Sequence, residues 1–357
     1  MGSARWVPLL APGGLDARWL VGPLGIVRRP RRVAQAGRLL TLAMMAGVPA
    51  LGGCGSDDAT TPARSAAAAA SVTVSDGPAA LGPVPASILT FNLCGSVTSD
   101  YCREPHLPAL ADFIASHRPT AFALQEVCGY QANELSRMLR NRGLEYVQRY
   151  RNLSVNGVAP FCGSSLGDRI KGEGIALFHA GTTLGEIREG NFETLSCADY
   201  LPEFPGCALQ PRGYVCAKVP QAQLWACATH IEVKEHVQKA QIDELARVAQ
   251  ELNASTNDDK RIPVVVAGDF NVEPAENRIS AMFDKASYTR GSGSFFEPDV
   301  RSDRTFAAAA ATQGNRKIDY VFHSANVSVV TSAVFQGVNS DHRMLFNELL
   351  LPAERGD

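Results

Sequence analysis

The chain has no CxxC pair and no HExxH sequence, the spacings from which structural zinc and zinc-protease sites are read. It has no apolar run long enough to cross a bilayer: residues 39–51 make a run of only thirteen, where a helix needs about twenty. No unit repeats at a fixed period, which sets solenoids and propellers aside. Nor is there a basic stripe with interleaved aromatics of the kind that marks many nucleic-acid binders. Net positive charge is lacking too. The formal charge is −2, and because residues 1–53 hold seven Arg against one Asp, the remainder stands at −8. So acidic a surface is a poor electrostatic trap for polyanions, and a phosphate substrate calls for a metal cation as bridge.

What is there is an ordinary globular composition. The 357 residues are 45% hydrophobic and 20% charged, enough to build one large domain or two average ones. Nine cysteines point to an oxidising compartment, given an export signal. Arg28, Arg29, Arg31, Arg32 and Arg38 supply a basic n-region, and the thirteen-residue run after them supplies the apolar h-region. The run ends in Leu51-Gly52-Gly53-Cys54, which resembles a bacterial lipobox, whose cysteine is lipidated and becomes the mature N-terminus. An ordinary signal peptide cleaved nearby is the alternative. Residues 54–85 are rich in Ala, Ser, Gly and Pro without amphipathic period, the composition of a flexible tether. The expected organisation is therefore a signal peptide with a long lead-in over 1–53, a lipidated cysteine and tether over 54–85, and one domain over 86–352. The product is expected to be a monomer, exported and anchored to a bacterial membrane through Cys54, or else secreted.

Within the domain the central stretch is IPVVVAGDFNVEP, residues 262–274. Its β-branched run predicts a strand buried on both faces, with Gly268 releasing the backbone into a turn before Asp269 and Asn271. Strands are also predicted over 88–91, 121–124, 144–150, 174–178, 214–219, 224–231, 318–322, 327–335 and 344–350. Helices are predicted over 106–117, 130–142 and 235–252, and a mobile loop over 289–303. This alternation predicts a layered α/β fold, two sheets packed together with helices outside. Cys216 and Cys227 sit symmetrically about the turn 220–223, facing each other across a hairpin at a separation a disulfide tolerates. Cys94 with Cys102, Cys128 with Cys162, and Cys197 with Cys207 are the simplest remaining pairs, with no independent argument for them.

The predicted strand ends carry Asn92, Glu126, His230, Asp269, Asn271, Asp319, Asp341 and His342. Each has a plain explanation: a turn cap, a helix acid, a core histidine, an Asx-turn. Together they meet the needs of metal-assisted phosphoester hydrolysis, namely hard oxygen ligands, an imidazole base for water and donors for phosphoryl oxygens.

The motifs TFN, LQE, ATH, GDFN, KIDY and SDH, in that order over residues 86–351, resemble those of the endonuclease/exonuclease/phosphatase family, whose fold is that of deoxyribonuclease I. The resemblance implies a four-layer α/β/β/α sandwich with its site at one edge of the paired sheets. It implies Glu126 as principal Mg²⁺ ligand (Mn²⁺ being the other candidate ion), helped by Asn92 and Asp341. Asp269 and Asn271 would lie beside the scissile phosphate. His342, oriented by Asp319, would activate water, and His230 would donate to the phosphate. Glu173 would orient His230 as Asp319 orients His342. Asp319 would favour the protonated form of His342, while bound Mg²⁺, and His230 if charged, would push the other way, toward an apparent pKa near neutrality.

Two departures stand out. SDH is followed by Arg343-Met344 where many members carry a proline, and the proline-tryptophan-cysteine-aspartate-arginine signature of inositol polyphosphate 5-phosphatases is replaced by RKIDYVF. The expected activity is an exported Mg²⁺-dependent phosphodiesterase, a nuclease acting on DNA or RNA. A phospholipid phosphodiesterase of the sphingomyelinase C type, which a membrane-tethered protein could use at close range, is the second reading; no long apolar hairpin for bilayer insertion is evident, the nearest candidate being Phe295-Phe296. A non-catalytic surface binding protein is the third.

Overall fold

Period-two alternation sorts the strand residues of this chain between two faces, and the faces build three separate layers of core. In the computed structural model the elements run β1 (Val84–Asn92), α1 (Leu107–His117), β2 (Ala121–Cys128), α2 (Gly129–Asn141), β3 (Tyr146–Asn152), β4 (Glu173–Ala180), β5 (Ile187–Asn191), β6 (Gly213–Val219), β7 (Leu224–His230), α3 (Glu235–Ala254), β8 (Val264–Asp269), β9 (Phe295–Phe296), β10 (Asp319–Ser324), β11 (Ser328–Phe335) and β12 (Met344–Leu351). The structure describes residues 82–95, 107–153, 173–183, 185–193, 212–254 and 261–353. The signal peptide, the lipobox cysteine and most of the tether lie outside them.

Two six-stranded sheets result, ordered β11-β12-β1-β2-β4-β3 and β5-β6-β7-β8-β10-β9. Their parallel neighbours are β1–β2 and β7–β8, and each of these pairs is joined through a helix, α1 and α3 respectively, as a parallel crossover requires. Facing sides of the sheets meet over small residues, among them Ala121, Ala123, Ala217, Ala226, Ala228 and Ala267, with Val265 and Leu345 between them. The outer face of the first sheet packs Leu89, Phe122 and Leu124 against Ile114 of α1 and Leu135 and Leu139 of α2. That of the second packs Val264, Val266 and Phe322 against Ile242, Leu245 and Val248 of α3. The order is therefore α/β/β/α. Leu245 has no exposed surface, and truncating such a leucine to alanine costs roughly 2–5 kcal/mol.

Several expectations need correction. Residues 289–303 are not a mobile loop: β9 pairs with β10 inside this stretch, and Phe295 and Val300 are buried. The Gly and Ser content hid these apolar anchors. Phe295 belongs to the α3-side core, and Phe296, half-buried, pairs with His323. Gly268 does not turn the chain. It lies within β8, where an added Cβ would collide with the Thr229 carbonyl, so close approach to β7 is what demands glycine there. The left-handed turn residue is Asn271, at φ 52°. β5 has no counterpart among the predicted strands, because IREGN carries no apolar alternation and is held as an edge strand.

The expected hairpin bridge is present. Cys216 lies opposite Cys227 in the β6–β7 register, and the two are bonded. Cys94 and Cys128 each take part in a disulfide as well. Cys102, Cys162, Cys197 and Cys207 lie outside the described residues.

Candidate active site

Asp269 is the hub. Strand β8 ends on it, in register with His230 at the end of β7 and with Asp319 at the start of β10. Three functional residues of the second sheet therefore share one edge. Oδ1 of Asp269 accepts the Asn271 N–H at 2.8 Å, so the Asx-turn is real and coexists with the site. Oδ2 accepts Nδ2 of Asn92 at 3.0 Å, a contact from the first sheet made 177 residues away in sequence. The same oxygen lies 3.5 Å from Nε2 of His230 and 3.7 Å from Nε2 of His342. Burial, reinforced by neighbouring Asp319, pushes the Asp269 carboxyl up to about 6.

Asn92 also donates to Oε1 of Glu126 at 3.0 Å, so one amide nitrogen holds two carboxylates. The Cys94 N–H marks the other end of the amide as oxygen, at 3.0 Å. Asn92 thus turns a donor toward the acids; it spaces them and, in this orientation, offers no ligand oxygen on that side. Glu126 adopts φ 51° where β2 slips register against β4, a left-handed backbone that non-glycine residues rarely take. That irregularity lies at the site edge of the sheet. Burial raises the Glu126 pKa; Asn92, Arg212 and His342 oppose the rise and Asp269 adds to it.

Two carboxylates whose pKa values are both raised, first of all by burial, form a hard-oxygen donor set suited to a divalent ion. Asp341 is exposed at the rim, where its Oδ2 accepts the Gln313 amide at 2.8 Å. Asp269, Asp319 and His342 also cluster closely enough to hold an ion. Asp319 and His342 already bind each other through Oδ2 and Nδ1, which marks them as a carboxylate–imidazole pair.

The Nδ1–Oδ2 distance in that pair is 2.9 Å. Burial lowers the pKa of His342, but Asp319, Asp269 and Asp341 outweigh it and push the imidazole up to about 10. Its Nε2 lies 3.0 Å from Nε2 of Gln313.

His230 has the opposite environment. Arg212 approaches its Nδ1 to 2.7 Å. A guanidinium has donors only, so Nδ1 must accept, leaving the proton on Nε2. Burial, then the charges of Arg212 and His342, hold the His230 pKa well below its ordinary value. His230 is therefore a neutral imidazole, and the push on His342 that a charged His230 would have supplied is missing. Its Nδ1 is met by a cation; Glu173 opens β4, its backbone opposite Cys128. Asn271 completes the group, its Nδ2 3.3 Å from His230 Nε2 and donating to the Ile231 carbonyl at 3.0 Å.

Arg212, Gln313 and Thr312 were missed in the sequence. Arg212 carries no motif, only its place next to Gly213 at the start of β6. Gln313 and Thr312 fall in an Ala-rich connection whose pairing with His342 and Arg343 is tertiary.

A model of the Endonuclease/Exonuclease/phosphatase family matches residues 89–342. No curated protein matches the chain. Among solved structures, an endonuclease/exonuclease/phosphatase from Beutenbergia cavernae shares 19% identity over 75% of this chain and 72% of its own, with a TM-score of 0.52. The human Nocturnin catalytic domain, solved with a bound sulfate anion, shares 17% identity over 74% of this chain and 94% of its own, at 0.54. ANGEL2, a 2',3'-cyclic phosphatase, shares 14% identity over 75% and 96% of the two chains, at 0.53. At these identities the likeness is one of fold.

Proposed function

This chain belongs to the endonuclease/exonuclease/phosphatase family, a family of metal-dependent phosphoric diester hydrolases, and we propose that it is an exported Mg²⁺-dependent nuclease. The observation that carries the reading is the double contact of Asn92, which holds Glu126 and Asp269 together across the two sheets, beside the His342–Asp319 pair.

Each residue has a task that follows from its surroundings. Glu126, with Asp269 or Asp341 as a second carboxylate, would hold the divalent ion, and Asn92 spaces the acids. Bound there, such an ion would offset the carboxylates and supply a Lewis acid for a phosphoryl oxygen. His342 takes a proton from the attacking water at Nε2, while Asp319 retains the hydrogen on Nδ1 and stabilises the imidazolium that forms. His230, neutral and carrying its hydrogen on Nε2, donates to the phosphate as negative charge builds there. Asn271 supplies a second amide donor beside it.

DNA or RNA is the preferred substrate because the GDFNVEP and SDH stretches resemble those of nucleases. A phospholipid phosphodiesterase of the sphingomyelinase C type, which a membrane-tethered protein could use at close range, is the second reading. The purified domain, incubated with plasmid DNA, RNA, sphingomyelin and phosphoinositides in Mg²⁺ or EDTA, should cleave nucleic acid in Mg²⁺ only. Hydrolysis of sphingomyelin alone would overturn the nuclease assignment. Export and anchoring rest on the basic, apolar and lipobox segments; Cys54→Ala should release the protein from the membrane fraction.

A further inference from the structure

Lys317, in the KIDY stretch, has no exposed surface. Its Nζ lies 2.9 Å from Oε1 of Glu297, 3.1 Å from the Asp319 carbonyl oxygen and 3.5 Å from Oδ2 of Asp299. The ammonium thus donates a hydrogen bond to the Asp319 carbonyl and forms ion pairs with Glu297 and Asp299. Oδ2 of Asp299 also takes the Ser332 hydroxyl at 2.7 Å, and Ser332 lies opposite Asn347 in the β11–β12 pair. The polar chain, buried at Lys317 and half-buried at Asp299 and Ser332, thus runs from the strand that opens with Asp319 to the strand that begins two residues after His342.

A core does not need such a group. An apolar side chain of similar volume would fill the space without desolvating charges. The surroundings of Asp319 show what the group does. Among the described residues its Oδ2 meets His342, and its Oδ1 meets no hydrogen-bond donor. The aim of the carboxylate therefore depends on its backbone. That backbone is held at both ends, the N–H by Thr312 Oγ1 at 3.0 Å and the carbonyl by Lys317.

We propose that Lys317, clamped by Glu297 and Asp299, is a positioning residue that aims Asp319 at His342 across the two sheets. The inference rests on the reading of Asp319 and His342 as the water-activating pair.

The test measures kcat and KM of the full domain in Mg²⁺ on bis(p-nitrophenyl) phosphate. Lys317→Met and Glu297→Gln are each made alone and on an Asp319→Asn background, with Leu245→Ala as a distant core control. Lys317→Met should lower kcat by about tenfold to a hundredfold, with KM changed less than about twofold. On the Asp319→Asn background it should add less than about twofold, because the group it aims is already disabled. Leu245→Ala should lower Tm and leave kcat alone, which separates positioning from loss of stability. Should Lys317→Met fail to fold, Glu297→Gln carries the test: it keeps an acceptor near the ammonium and should show a smaller kcat loss that again vanishes on Asp319→Asn. Unchanged kcat in a folded variant, or full multiplication with Asp319→Asn, overturns the role of Lys317. Full activity in Asp319→Asn by itself instead overturns the catalytic pair.

Discussion

His230 and His342 approach one oxygen of Asp269, at 3.5 and 3.7 Å, and both are buried, yet they carry opposite groups behind them. Arg212 meets Nδ1 of His230; Asp319 meets Nδ1 of His342. Burial disfavours the imidazolium at both sites. The guanidinium adds to that effect at His230, while the carboxylates reverse it at His342. The two rings share a type, a depth and a neighbour, so the group at the far nitrogen decides which one donates and which one takes a proton.

The largest expected effect comes from removing the proton-accepting ring. His342→Ala should slow hydrolysis on the order of 10²–10⁴-fold. Asp319→Asn should leave the fold intact and slow the reaction too, and the double variant should be little worse than His342→Ala because the two act as a unit. Losses that multiply fully would give Asp319 a task of its own.

Next is the ion. Glu126→Gln should raise the Mg²⁺ concentration needed for half-maximal activity and lower the maximum. A metal titration that superimposes on that of the unaltered protein would place the ion elsewhere.

The contrast itself can be broken by replacing Arg212. In Arg212→Met the pKa of His230 should rise, since a cation has left its neighbourhood, and activity should fall because the Nε2–H tautomer is no longer enforced. Histidine NMR titration of the metal-free protein reads both rings. His230 should stay neutral into the acid range, His342 should stay charged up to about 10, and added Mg²⁺ should move His342 down. The sign for stability follows. The folded pKa of His342 stands above its ordinary 6.5, so its contribution is full below about 6.5 and lost as pH rises through about 10. That slope should be missing in metal-free His342→Ala.

The smallest effect on either histidine should come from Cys216→Ala with Cys227→Ala. The bridge lies mid-sheet, away from the strand ends, and its loss should cost up to about 3 kcal/mol in chemical denaturation while both titrations stay put.

Much of the fold was legible because its signals are local. The β-branched run before Asp269, the amphipathic helices and the symmetry of Cys216 and Cys227 about a tight turn all involve residues close in sequence. The six motifs placed Asn92, Glu126, His230, Asp269, Asn271, Asp319 and His342 at strand ends, and the structure gathers them at one edge. Where the reading failed, the cause was a contact over distance. Phe295 looked like part of a flexible loop until its place in the α3-side core was seen. Gly268 looked like a turn residue until β7 was laid beside it.

The residue types at the strand ends, and so the kind of chemistry available, were determined by the sequence by itself. Only the tertiary structure decided the charge on each histidine. Arg212 is 18 residues from His230, and Asn92 is 177 from Asp269. A proton's position depends on the field of groups within a few ångströms, and neither strand period nor motif spacing encodes which distant groups those will be.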